Sequence, residues 1–520
     1  MMGLTEPLHR AAYSTPHKPA TIFGERTRSW AEFKDRAARL AAGLKSHGVS
    51  AGDPVAILAL NSDRYLEYYY AVWWLGAVVV PMNIRWSIAE NAYSLNDSGA
   101  KVMFIDAQFS PLTPQIKAEA TGLTSFIYLD DENCPEGMLD YEALIADNAP
   151  MEDARKSGED LAGIFYTGGT TGFPKGVLIP HRALWFNGLT LAKLIETSDN
   201  TKYLHAAPMF HLADGAASLA TTAIGGTHVI ISMFTPDGVL EAIGSKAITH
   251  ALLVPTMIGM LLQSPTYTAK HLSSLTHLVY GGSPIPEGIL RRLIAELPWI
   301  GLINAYGQTE MAPAISALAP KHHVLDGPNA DRFKSVGQVA PGVEIRIIDE
   351  GGKDVARGNV GEIVARSPGS MQGYHNKPEQ TAATLNDGWV KTGDGARMDE
   401  DGFLFIVDRV KDMVITGGEN VFSVEVENAV STFPDVIQVA VIGIPDERWG
   451  EAVHAIIVTE GGVALDSEAI TAHCRNQLAN YKLPRSFEFR AEPLPLSGAG
   501  KVLKRELREP HWDGLDKGVS

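Results

Sequence analysis

Lys175 ends a polar, glycine-rich stretch of the run Tyr166-Thr167-Gly168-Gly169-Thr170-Thr171-Gly172-Phe173-Pro174-Lys175-Gly176-Val177, whose residue types suit a polyphosphate. Glycines let backbone N–H groups approach an anion closely, threonines add hydroxyl donors and the lysine adds positive charge. The spacing is not that of the common nucleotide-triphosphatase loop, where Lys directly follows Gly and precedes Ser or Thr. In this chain Lys175 follows Pro174 and precedes Gly176. Taken alone, the run reads either as a phosphate loop of another kind or as a flexible Gly/Thr turn.

Six further stretches combine glycine with polar, charged or aromatic residues and read as loops. They are Pro208-Met209-Phe210-His211, Tyr280-Gly281-Gly282-Ser283-Pro284, Asn304-Ala305-Tyr306-Gly307-Gln308-Thr309-Glu310, Trp389-Val390-Lys391-Thr392-Gly393-Asp394, the segment from Asp408 through Arg409, Lys411, Gly417 and Gly418 to Asn420, and Pro495-Leu496-Ser497-Gly498-Ala499-Gly500-Lys501.

The elements around these stretches alternate. Ser29 reads as a helix N-cap with Glu32 in the capping-box position, opening a helix to about Lys45. Val55 to Leu60, Ala77 to Val80 and Val102 to Ile105 read as buried strands, and Tyr68 to Pro81 as a buried helix running into a strand. Strand and helix in alternation predict a parallel, doubly wound sheet, and the pattern resumes after the Gly/Thr loop with strands near Thr227, His250 and His277. From about 335 to 407 the chain turns to short strands separated by Gly/Asp turns, which is antiparallel, barrel-like material. Beyond Asp408 it returns to α+β, and the expected boundary lies near Lys411, giving domains 1–410 and 411–520. The fold class is therefore α/β: a large N-terminal domain of doubly wound sheets with a small β-barrel-like subdomain, and a smaller α+β C-terminal domain.

The 520 residues suffice for large cores without disulfide or metal staples. A net charge of -17 argues against nucleic acid as a partner, since phosphate backbones are bound by excess Lys and Arg. Cys134 and Cys474 stand far apart with no Cys-x-x-Cys pair, so a reducing, cytoplasmic setting is expected. The apolar stretch that ends at Pro81 is too short for a transmembrane span, and Met1 to Glu6 lacks the pattern of an export signal.

In combination and in this order, the seven motifs resemble the AMP-forming acyl-CoA synthetases of the adenylate-forming superfamily, over about residues 10 to 507. The resemblance implies ATP, Mg²⁺ and coenzyme A as cofactors and a small carboxylic acid as substrate, with a homodimer as the oligomer it leaves room for. The implied reaction joins a carboxylate to the α-phosphorus of ATP, giving acyl-AMP and pyrophosphate, after which a thiol displaces AMP. Two like charges about 4 Å apart repel by roughly 4 kcal/mol at an effective dielectric of 20, so donors and cations must offset that.

By resemblance, Thr167, Gly168, Gly169, Thr170, Thr171, Gly172 and Lys175 hold the β- and γ-phosphates. Many relatives carry Ser where this chain has Gly168, so one hydroxyl donor is missing. Tyr306 matches the adenine platform, opposed by Gly282, Ser283 and Pro284, with Asn304 near the exocyclic amine and Gly307 next in the motif. Thr309 matches an α-phosphate contact and Glu310 the Mg²⁺ ligand; Asp394 and Arg409 match ribose contacts. Lys501 matches the lysine that bridges carboxylate and α-phosphate, carried by a C-terminal domain that swings about Lys411 and then presents Gly417 and Gly418 to the pantetheine channel.

Near His211 the motif has no aspartate for an amino-acid ammonium group. The matching acyl-pocket positions, Ala213, Ala216, Ala217, Gly281, Met311, Ala312 and Ala314, are small or apolar. They imply an apolar acyl tail, with a medium- or long-chain fatty acid preferred and an aryl or arylalkyl acid, or delivery to a carrier protein, as the alternatives. Asp214 has no role in that reading.

Overall fold

In the computed structural model, described for residues 2–168, 174–409, 412–417, 419–475, 477–497 and 502–512 (backbone only at Arg409 and Asn420), the chain builds four sheets. The helix Trp30–Ser46 starts at Ser29 with the expected capping box, Ser29 Oγ accepting from the Glu32 N–H and the Glu32 carboxylate accepting in return. Asp63–Leu75 is buried at every position and is closed by Gly76 in the left-handed region at φ 78°. Its two acids are paired inside the core: Arg26 grips Asp63 at 2.7 and 2.8 Å, and Arg36 grips Glu67 at 2.7 and 3.0 Å. Buried charges are tolerated in this paired, bidentate form.

The eight-stranded sheet is parallel from Leu161–Thr167 through Val78–Pro81, Pro54–Leu58 and Val102–Ile105 to Leu139–Asp140. Two antiparallel strands, Lys175–Pro180 and then Gly373–Tyr374, are added at its other side. The nine-stranded sheet is parallel from Gly301–Gly307 to Pro19–Phe23, with antiparallel additions at both edges. These are mixed sheets, not the purely parallel ones the alternation predicts. Their antiparallel members come from tight connections and a distant return strand, which hydrophobic periodicity does not report.

A third sheet is antiparallel and joins Glu344–Ile348, Gly361–Arg366, Trp389–Met398, Leu385–Asn386 and Leu404–Arg409. The fourth, in the C-terminal region, pairs Gly450–Val458 with Gln438–Asp446, Val414–Thr416 and Ser486–Arg490, the last in parallel.

One expectation is corrected. Gly281, Asn304 to Gly307, Trp389 to Asp394 and Asp408-Arg409 lie within strands, where the glycine-rich composition predicts loops. The glycines are there for space: a Cβ on Gly281 would stand 2.1 Å from Ala305 O, and one on Gly307 1.8 Å from Pro313 O. Close backbone approach is the second common reason for glycine inside a strand.

Candidate active site

Thr167 and Lys175 face each other in the hairpin that carries the Gly/Thr run, so the two residues flanking the run are held in register. Gly169, Thr170, Thr171, Gly172 and Phe173 lie outside the described residues. Gly168 is exposed, and among the described residues a Cβ there would meet nothing within 4 Å. Behind the hairpin, Tyr166 donates its hydroxyl to Asp97 Oδ2 at 2.7 Å, and burial followed by that carboxylate holds the phenol well above its usual pKa. Gly176 O accepts from the His375 N–H at 2.7 Å, which fastens the hairpin to the returning strand.

That strand brings in a residue whose role the motifs do not signal. Tyr374 donates its hydroxyl to Glu310 Oε1 at 2.8 Å, while Lys175 Nζ lies 5.3 Å from the centre of the same ring. Desolvation, then the Glu310 charge, raises the Tyr374 pKa, so the phenol stays a donor. Lysine over an aromatic face is a favourable cation–π arrangement. Gly373 just before it takes φ 145°, and a Cβ there would come 2.7 Å from Thr381 Cγ2, so the position requires glycine.

Glu310 sits in a single turn, Thr309–Met311, and its carbonyl accepts from the Met371 N–H at 2.8 Å. Ala312 follows in the left-handed region at φ 62°. Among the described residues Tyr374 engages Glu310 Oε1, so the carboxylate retains a second oxygen. A lone carboxylate beside the hairpin that carries the Gly/Thr run suits a hard cation such as Mg²⁺, which takes one or two carboxylates plus phosphate oxygens.

The parallel strands His277–Gly281 and Gly301–Gly307 lie side by side, with Tyr280 beside Asn304 and Gly281 beside Ala305. The C-terminal ends of parallel strands are where open α/β sheets bind ligands. Gly282 takes φ 78° immediately beyond, and Asn304 Nδ2 donates to Ser335 O at 3.2 Å. Tyr306 reaches across to the third sheet and donates to Asp394 Oδ2 at 2.7 Å. Asp394 stands opposite Arg409 in the antiparallel ladder, so the two candidate ribose residues are adjacent in backbone.

His211 caps the helix Leu212–Ile224, its Nδ1 accepting from the Ala213 N–H at 3.2 Å. Ala216, Ala217, Met311, Ala312 and Ala314 are buried. The structure gives Asp214 a partner set: it is fully buried and accepts from His205 Nδ1 at 2.6 Å and Tyr203 at 3.3 Å. The chain continues from His205 Nε2 to His228 Nδ1 at 2.9 Å and from His228 Nε2 to Thr222 Oγ1 at 3.1 Å. Burial, then His205, pushes His228 far below the ordinary histidine range, so this ring is neutral and relays hydrogen bonds through the core.

Lys411, Gly418 and Lys501 lie outside the described residues, as does the Arg409 side chain. Gly417 has φ 61°, donates its N–H to Trp449 O at 2.8 Å, and sits where a Cβ would be 2.7 Å from the Trp449 ring. On either side of Lys411, Asp408 Oδ2 accepts from the Ser423 N–H at 2.6 Å and Asp412 from Arg508 at 3.2 Å. Lys504, three residues beyond Lys501, pairs with Glu427 at 2.6 Å. Arg85, from the N-terminal region, donates to Ser497 O at 3.1 Å, which ties the approach to Lys501 to the large domain.

Residues 8–375 match the AMP-binding enzyme family and residues 425–501 the AMP-binding enzyme C-terminal domain. A feruloyl-CoA synthase from Amycolatopsis sp is 38% identical over 96% of this chain and 97% of its own length. A long-chain-fatty-acid–CoA ligase from Thermus thermophilus is 34% identical over 93% of this chain and 90% of its own. Among solved structures, an o-succinylbenzoate CoA synthetase from Bacillus subtilis, in complex with its acyl-adenylate intermediate, superposes with a TM-score of 0.84 at 28% identity, covering 96% of this chain and 97% of that one.

Proposed function

The chain belongs to the AMP-binding enzyme family and is an acid–thiol ligase, and from that premise we propose that it activates a monocarboxylic acid with an apolar tail, aryl or arylalkyl in the first instance. ATP and coenzyme A are the co-substrates. A carboxylate oxygen attacks the α-phosphorus and the bond to the β-phosphate bridging oxygen breaks, releasing pyrophosphate. The coenzyme thiol then attacks the acyl carbon, the bond to AMP breaks, and the thiol proton is lost to solvent.

One observation carries this reading: Tyr374 joins Lys175, from the phosphate hairpin, to Glu310, from the Thr309–Met311 turn. Lys175 and Thr167 are assigned to the β- and γ-phosphates, and Tyr306 and Asp394 to adenosine. Thr309 is assigned to the α-phosphate, and Lys501 to the attacking carboxylate. Mg²⁺ held by Glu310 supplies charge neutralisation on the phosphates.

The small and apolar character of Ala213, Ala216, Ala217, Met311 and Ala312 supports a neutral tail, and the 38% identical relative is named for feruloyl. A medium- or long-chain fatty acid is the second reading, supported by the 34% identical relative named for long-chain fatty acids. AMP release, measured across arylacrylic, arylacetic and straight-chain acids with coenzyme A present, separates them. A kcat/KM highest for straight chains would put the fatty acid first, and adenylate without thioester would sink the CoA-ligase assignment.

A further inference from the structure

His454, on the strand Gly450–Val458, converges with Glu488 and His511 on the face of the C-terminal sheet that the helix Lys504–Trp512 covers, and the three belong to none of the motifs assigned above. One potential ligand atom from each lies within 4.8 Å of the others. The strands and the last described helix dictate that convergence. His454 pairs with Ser486 and Ile456 with Glu488 in the parallel ladder, so Ser486 and Glu488, two residues apart, share one face of their strand. The helix Lys504–Trp512 lies on the same sheet: Leu507 packs with Ala440, Ile442, Ile456 and Val458, and Trp512 Nε1 donates to Gly443 O at 3.0 Å. His511 is four residues beyond Leu507, one helical turn along the face that meets the sheet. Its ring centre stands 5.1 Å from that of His454.

A second observation concerns what His454 lacks. The residue is 6% exposed, its Nδ1 lies 2.7 Å from Ser486 Oγ, and its buried Nε2 has no hydrogen-bond partner among the described residues. An N–H at Nε2 would leave a donor buried and unpaired, which is costly. The proton therefore belongs on Nδ1, which donates to Ser486, and Nε2 presents a lone pair. That is the arrangement of a metal-ligating imidazole, whose second nitrogen is held by a hydrogen bond that fixes tautomer and orientation.

We propose that His454 Nε2, Glu488 and His511 form a binding site for a late first-row divalent cation, with zinc as its redox-inert member. Two imidazoles and one carboxylate are donors such ions prefer, whereas Mg²⁺ and Ca²⁺ take oxygen. With zinc–ligand bonds of about 2.1 Å, tetrahedral donors stand about 3.4 Å apart, so closing the site takes movements of roughly 1 Å, within reach of the His511 and Glu488 side chains. The bound ion pins the helix Lys504–Trp512 to the sheet. That helix begins three residues after Lys501, so the site acts on the segment that carries the lysine while standing apart from the ATP-binding residues.

The experiment uses tag-free, full-length protein stripped with chelator and titrated with zinc alone, by calorimetry and by thermal unfolding. One zinc per chain is expected, with a rise in Tm, and Co²⁺ substitution should give visible d–d bands. Glu488→Gln and His511→Ala, both at partly exposed side chains, should each weaken zinc by at least about 10-fold, and Ser486→Ala by about 10–100-fold through loss of the supporting hydrogen bond. Millimolar Mg²⁺ should leave the zinc in place. Absence of zinc uptake by the parent protein overturns the proposal, and so does uptake undiminished in both ligand variants, which would put the ion elsewhere. ATP binding by each variant reports that the large domain remains folded.

Discussion

Tyr306 donates its phenolic hydrogen to Asp394 Oδ2 at 2.7 Å, so the two residues assigned to adenine and ribose hold one another in place from different sheets. Asp394 is further set by its N–H donating to Thr392 Oγ1 at 3.1 Å, next to Gly393 at φ 71°. Removing the carboxylate should therefore hurt more than removing the phenol. Asp394→Ala is expected to raise the KM for ATP by about 10–100-fold, the scale of a lost hydrogen bond to a charged group. Tyr306→Phe keeps the ring face and should cost less than about 10-fold. Steady-state kinetics in ATP tests the order; a larger effect for Tyr306→Phe would reverse the assignment.

Tyr374 supplies the second prediction. Its hydroxyl orients Glu310, and its ring lies under Lys175. Tyr374→Phe preserves the cation–π contact and removes the hydrogen bond, so binding of the phosphates through Lys175 should survive while the carboxylate loses its orientation. The expected result is a fall of about 10-fold in ATP–pyrophosphate exchange, an increase in the Mg²⁺ concentration needed for half-maximal rate, and little change in ATP affinity. An unchanged Mg²⁺ dependence would show that Tyr374 serves packing alone.

Gly168 is assigned to the phosphates, and among the described residues a Cβ there meets nothing within 4 Å. Gly168→Ser should lower the KM for ATP by about 2–10-fold, the range of one net hydrogen bond. The measurement is again ATP kinetics at saturating acid and coenzyme A. Equal KM values would mean that the hydroxyl has no phosphate to reach.

How far the sequence carries differs from element to element. The Ser29 capping box and the buried strand Val102–Ile105 stand where local pattern puts them, because capping and hydrophobic runs are local signals. The strand Gly301–Gly307 does not announce itself, since Gly307 answers to the approaching carbonyl of Pro313 rather than to a turn. Tyr374 and Glu310 are 64 residues apart and meet only because Gly373–Tyr374 returns to the edge of the eight-stranded sheet. Asp214 likewise looks like a stray acid until His205 and His228 are placed beside it. Motifs identify such groups by type, but their partners are set by strand order.

Acid should destabilise the fold through histidines buried neutral. His181, His250, His323 and His454 are each pushed down to about 4 and His228 lower still, burial being the leading cause. The unfolded chain binds protons to these residues below about 6.5 while the native state does not, so stability is retained above that pH, falls as pH drops, and levels off below about 4. Each of those at about 4 can remove at most about 3 kcal/mol. Asp106, raised to about 6 by burial, works in the opposite sense below that pH. Five histidines against one carboxyl predict a net loss between about pH 6.5 and 5, measurable by denaturant unfolding at a series of pH values. His323 accepts from Tyr280 at 2.9 Å, next to Gly281, so His323→Asn should flatten the profile. Stability that is constant or rises on acidification would contradict the burial argument.

Lys501 gives the sharpest test of the two-step mechanism. The lysine follows Ser497, whose carbonyl Arg85 holds from the large domain, and precedes Lys504, which pairs with Glu427 of the small one. The role assigned to Lys501 requires that it reach the α-phosphate in one step and leave in the next. Lys501→Ala should then abolish acyl-AMP formation, read as ATP–pyrophosphate exchange, while thioester formation from supplied acyl-AMP and coenzyme A stays within a few-fold of the parent. If the Ser497 contact holds the C-terminal segment for adenylation, Arg85→Ala should slow adenylation more than thioester formation. Equal loss of both steps in Lys501→Ala would assign the lysine to folding or to coenzyme A instead, and equal loss in Arg85→Ala would detach the Ser497 contact from the cycle.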